Sequence, residues 1–163
     1  MNTSDTIQLK PHLLQYIISE WGYVLLCIMS YAIAGLDIIA DSTIPHLLKW
    51  LGNLLALYLA YQFGYLLRIR YVVTEEQLIF LHGVFRHSTD YMELYRVVDY
   101  QQNRSLLQQL LGLKTVTILS GDRNMRRLDI IGVCEKEDVV GEIRKRVEIN
   151  KRKKGIYEIT NRF

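Results

Sequence analysis

The side chains able to do chemistry are few and scattered. His82 and His87 lie either side of Gly83 and Val84 and are close enough in the chain to meet. Neither has a Cys, Asp or Glu at a familiar metal-ligand spacing, so packing or surface histidines are expected rather than a metal site. Asp90 and Glu93 are near enough to form a carboxylate pair, although acidic residues close to strand ends are ordinary. No phosphate-cradling glycine loop, GxSxG elbow or HExxH helix occurs. The expectation is therefore a chain with no catalytic set and no cofactor. The strongest electrostatic feature is basic: Arg68 and Arg70 in mid-chain, then Arg144, Lys145, Arg146, Lys151, Arg152, Lys153 and Lys154. Beside an anionic leaflet each such charge gains about 1 kcal/mol, an effect lost beyond a Debye length. Two readings stay open for the later cluster: a contact for anionic lipid or an acidic partner, and a solvated helix end. A net charge of +3 without a basic stripe interleaved with aromatics argues against nucleic acid.

The elements that must position these groups divide the chain in two. Residues 1–12 are a polar lead-in, read as a disordered approach and not as a cleaved signal peptide. Residues 13–70 read as a transmembrane hairpin with crossings at about 21–40 and 47–67. The second stretch, LLKWLGNLLALYLAYQFGYLL, is about as long as a bilayer-spanning helix and carries no charge between Lys49 and Arg68. Trp21 and Tyr23 suit an interface, and Asp37 and Asp41 fall at the turn. Pro45 suits the first turn of the second helix with Thr43 as its cap. Basic residues after the second helix place both termini in the cytoplasm by the positive-inside bias. Gly52, Ala56, Ala60 and Gly64 form a four-residue ladder, matched by Ser30 and Ala34 on the first helix. Small residues let helices approach closely in lipid, either within the hairpin or between chains. Asn53, Gln62 and Asp37 would have to line a pore if several hairpins built a small transporter.

From Tyr71 the pattern becomes short alternating runs. YVVT, QLIFLH, VFRHSTDYMEL, RVVDYQQ, KTVTILS and MRRLDIIGV read as about six strands. Between them NRSLLQQLLG reads as a short helix, with Ser105 as cap and Gly112 as stop. A final helix over about 135–153 presents the stripe Val139, Val140, Ile143, Val147. The fold class is α+β: a helical hairpin, then a small antiparallel barrel or bent sheet over residues 71–150 plugged by that helix. Residues 151–163 form a basic tail. Cys27 and Cys134 are badly placed to pair, which suits a reducing compartment.

This second half resembles the bacterial pleckstrin-homology-like (PH-like) domains found after paired membrane helices. The resemblance rests on Tyr71, Thr74, Leu78, Gly83 and Arg86. It continues in the strand Leu94-Tyr95-Arg96-Val97, the run Ser105 to Leu113 and the strand Lys114 to Ile118. It covers about residues 71–147 and implies a bent barrel closed by a helix, serving as a binding or assembly module with no catalytic residues. The expected protein is a non-enzymatic scaffold or assembly subunit in the bacterial inner membrane, forming a homo-oligomer or membrane complex. The alternative is a lipid-headgroup or lipid-handling module.

Overall fold

The computed structural model describes residues 6–36 and 43–156. Two long helices, α1 (Leu14–Ala34) and α2 (Ile44–Arg68), pack antiparallel. LLQYIISE continues the first helix ahead of the 21–40 stretch, and the helix stops at Gly35; Asp37 and Asp41 lie outside the described residues. Pro45 occupies the first turn of α2 as its missing N–H allows, while Thr43 makes no side-chain cap bond.

Residues 1–12 are not simply a lead-in. Ile7–Leu9 forms strand β1, which pairs antiparallel with β2 (Arg70–Val73), in register Ile7↔Val73 and Leu9↔Tyr71. The helical pair is thus inserted between two adjacent strands of one sheet. β2 pairs with β3 (Gln77–His82), and β3 with β4 (Ser88–Glu93), completing a four-stranded sheet. VFRH, expected within β4, is instead the turn before it, where Gly83 adopts a φ of 105°.

A 3₁₀ turn at Leu94–Arg96 leads into β5 (Val97–Asn103), then α3 (Leu106–Leu110), β6 (Leu113–Ser120) and β7 (Arg127–Cys134). These three strands form a second sheet, and among the described residues β4 and β5 pair with different neighbours, giving two separate sheets where a small barrel or one bent sheet was expected. The ladder shifts register between Val97 and Asp99 and again between Lys114 and Val116, the local twist that bulges produce. Ser105 caps α3 in a reciprocal box with Gln108, and Gly112 ends it at φ 63°.

The core lies between the two sheets and α4 (Val139–Lys153). Tyr71, Val73, Leu78 and Met92 from the first sheet meet Val116, Ile118 and Ile130 from the second, and Val139, Ile143 and Val147 close it. Burying each such side chain contributes roughly 1.5–3 kcal/mol. The Tyr71 hydroxyl stitches the sheets together, donating to Asp129 O at 2.9 Å and accepting from Ile131 N at 3.4 Å.

Candidate functional site

The helices contact the β-domain at two places. At the start of α1, His12 N donates to Gly132 O at 2.8 Å, and Gln108 Nε2 donates to both Gln15 Oε1 at 3.0 Å and Thr115 Oγ1 at 2.8 Å. Gly132 has φ 63°, and a Cβ there would lie 2.7 Å from Gln15 Cβ, so glycine alone admits the helix. The first glutamine of the SLLQQLLGL run, Gln108, is therefore buried as the joint between helix and domain. At the end of α2, the turn between β3 and β4 folds back along the helix. Val84 is the nearest neighbour of Gly64, and the Phe85 ring stacks on Tyr61 with centroids 6.0 Å apart.

That fold-back builds a cleft of about 240 Å³ where α2 gives way to the sheet, lined by Arg68, Arg70, His82, His87, Ser88 and Thr89, with Leu81. Strand pairing sets its geometry: Arg70 faces Leu81 across one ladder and His82 faces Ser88 across the next. The two arginines are exposed. The His82 ring is held on both nitrogens, Nδ1 at 3.3 Å from the Tyr65 hydroxyl and Nε2 at 3.0 Å from Asp90 Oδ2, and it stacks on Phe80. His87 shares the cleft, so the structure does bring both histidines to one place. Asp90 and Glu93 do not pair: an odd spacing on a strand sends them to opposite faces, and Glu93 accepts instead from Gln77 Nε2 at 2.7 Å. Among the described residues no three His, Cys, Asp or Glu side chains gather as metal ligands.

The later basic cluster sits elsewhere. Arg146 Nη1 donates to Val73 O at 3.0 Å and Asn150 Nδ2 to Glu75 O at 2.5 Å, fixing α4 to the turn between β2 and β3. That turn lies at the far end of the first sheet from Arg70, roughly 17 Å away by the rise along β3. Lys154 lies over the Tyr95 ring and Arg144 over Tyr100, while Lys145 pairs with Glu142 at 2.9 Å. Lys151 and Arg152 border a separate cleft of about 400 Å³ with Val97 and Tyr100, and Lys153 is exposed on the last turn of α4. The two groups of basic residues, Arg68 with Arg70 and the later cluster, thus lie at opposite ends of the first sheet.

The small-residue ladder divides as well. Each four-residue step turns a helix about 400°, so successive members drift by about 40°. Gly52 is buried at the crossing with α1, where a Cβ would meet Tyr31 at 2.7 Å and Ser30 Oγ at 2.8 Å. Ala34 is also buried, whereas Ala56 and Ala60 are exposed and Gly64 faces the β3–β4 turn. Asn53 accepts from the Tyr31 hydroxyl at 2.6 Å, and Gln62 donates to the Tyr58 hydroxyl at 2.9 Å.

Apolar exposure follows the helices and the junction. Among the described residues one helix, α1, is long and apolar enough to cross a membrane, and only 11% of its most apolar window is buried. The length of α2 is sufficient, but Asn53, Gln62 and its tyrosines lower its mean hydropathy. The most exposed large apolar side chains among the described residues are Phe85 at 88%, Leu110 at 81% and Leu106 at 79%. No reading of the sequence marked these three; the available signal was an apolar pair, Val84-Phe85, inside a glycine-led turn.

The fold and this junction define an interaction module, of the kind that takes protein or lipid, carried on a helical pair. The family model described as Bacterial PH domain matches residues 21–148, most of the chain, including the greater part of α1 and all of α2. The chain belongs to that bacterial PH domain family. No curated protein and no solved structure matches it.

Proposed function

We propose that this chain is a non-enzymatic, membrane-anchored assembly subunit, with α1 and α2 spanning the inner membrane as a hairpin and the PH-like domain in the cytoplasm. The observation that carries the reading is the bare apolar surface of α1, since the core helix of a water-soluble protein would be covered. Exposed Trp50, Leu54 and Leu57 extend the same belt over α2. Pairing of β1 with β2 supports a hairpin, because it requires both outer ends of the helical pair to lie on one side. The arginines at the end of α2 favour that side as cytoplasmic. Exposed Ala56 and Ala60 leave a small-residue surface on α2 for a neighbouring copy or partner helix.

Native mass measurement after gentle detergent extraction tests this function. A defined multimer or heterocomplex is expected; a clean monomer with no co-purifying protein would overturn the assembly role. The cleft of Arg68, Arg70, Ser88 and Thr89 favours a second reading, contact with anionic lipid headgroups at the leaflet surface. Flotation with anionic vesicles distinguishes it: salt-sensitive binding of the β-domain supports lipid contact, and no binding at low salt counts against it.

A further inference from the structure

We propose that the β-domain is seated in the leaflet from which the hairpin emerges, through two apolar feet: Phe85 beside α2, and Leu106 and Leu110 of α3 beside α1. The partner is the upper acyl region of the bilayer, and the inference rests on the reading that α1 and α2 span it.

The depth of each foot follows from its contacts. Phe85 stacks on Tyr61, which precedes Arg68 by two helical turns, about 10 Å at the rise of an α-helix. With Arg68 and Arg70 at the level of the lipid phosphates, the Phe85 ring lies below them. On the other helix, Gln108 of α3 is bonded to Gln15, and the next residue, Tyr16, packs edge-on against Phe63 at 5.3 Å. Phe63 precedes Arg68 by about 7 Å of helix. Both feet therefore fall on the apolar side of the arginines, one against each helix.

Their exposure has no explanation in the fold. Ser105 caps α3, Gln108 buries its polar face against α1 and β6, and Leu106 and Leu110 are turned outward. Phe85, 88% exposed and stacked on Tyr61, makes one contiguous apolar patch with α2. These patches continue the belt of the hairpin, so one bilayer covers all of it, and Arg68, Arg70 and Arg86 supply positive charge at the headgroup layer. Exposed Val98, at the start of β5 and away from both feet, serves as a reference.

The test is spin-label accessibility in the full-length protein reconstituted into phosphatidylethanolamine–phosphatidylglycerol vesicles. Single labels are introduced as Phe85→Cys, Leu106→Cys, Leu110→Cys, Leu57→Cys and Val98→Cys in a Cys27→Ala, Cys134→Ala background. Oxygen concentrates in the acyl region and a nickel chelate in water. The oxygen-to-nickel ratio is expected to be several-fold higher at 85, 106 and 110 than at 98, approaching that at 57. A lipid-like label at 57 with water-like labels at 85, 106 and 110 overturns the feet and leaves the hairpin standing. A water-like label at 57 removes the spanning hairpin and the feet with it.

Discussion

The two ends of the first sheet carry similar side chains and use them differently. At the end where β2 leaves α2, Arg68 and Arg70 are exposed around a cleft, and the adjoining turn projects Phe85. At the other end Arg146 bonds a backbone carbonyl, Arg144 and Lys154 cover tyrosine rings, and Asn150 closes the β2–β3 turn. Basic charge at the first end is offered outward; at the second it is largely spent on holding α4 in place. Charge counting along a sequence cannot make this distinction, because it depends on which strand end each residue reaches.

Two glycines, one at each end, test this difference most severely. Gly83 at the helix-side end has φ 105°, and a Cβ would lie 1.9 Å from Arg86 O. Gly83→Ala should cost about 3 kcal/mol, the upper range for a strained backbone position, and release Phe85 from Tyr61. Gly155 at the other end also has positive φ, but nothing lies within 4 Å of its Cβ position. Gly155→Ala should cost only about 1 kcal/mol. Denaturant midpoints of the detergent-solubilised protein compare them, and equal losses would refute the asymmetry.

Much of the fold was legible because its determinants are local. Ser105, Gln108 and Gly112 announce α3 by cap and stop, and the spacing of Val139, Ile143 and Val147 announces α4. β1 was not legible: three residues, Ile7-Gln8-Leu9, pair with a strand more than sixty positions later, and no local pattern records such a partner. Separation of the sheets was hidden for the same reason, since it depends on which neighbour β4 and β5 choose. The site was half legible. Arg68, Arg70, His82 and His87 stood out as residue types, but only the fold-back of the β3–β4 turn gathers them. The ladder could not be divided from sequence, because a spacing of four drifts around a helix, so Gly52 meets α1 while Ala56 and Ala60 stay exposed.

Tyr71 ties the start of β2 to β7. Burial pushes its phenol well above the ordinary value of 10.0, the hydrogen bond from Ile131 N opposing the shift in part. A phenol held neutral by the fold contributes stability that is whole below pH 10 and is lost as pH rises towards the folded-state value. Tyr71→Phe should cost about 2 kcal/mol at neutral pH, by leaving Asp129 O without its donor. It should also flatten the alkaline fall in stability, read from melting temperature against pH. A slope unchanged from the parent would assign the alkaline transition to another group.

The smallest effects separate the two kinds of arginine most directly. Arg146→Met keeps most of the side-chain length but removes the bond to Val73 O, so it should lower stability by about 1 kcal/mol and leave lipid association unchanged. Arg68→Gln with Arg70→Gln should do the reverse. Both side chains are exposed, so melting should move little. Association with anionic vesicles should weaken by about 1 kcal/mol per charge, an effect that shrinks as salt rises. Flotation of the β-domain (residues 68–156) from the parent and from both variants at low and high salt, beside the melting curves, gives the answer. If Arg146→Met weakened vesicle binding as much as the paired substitution, the far end of the sheet would also face lipid, and the division of roles between the two ends would fail.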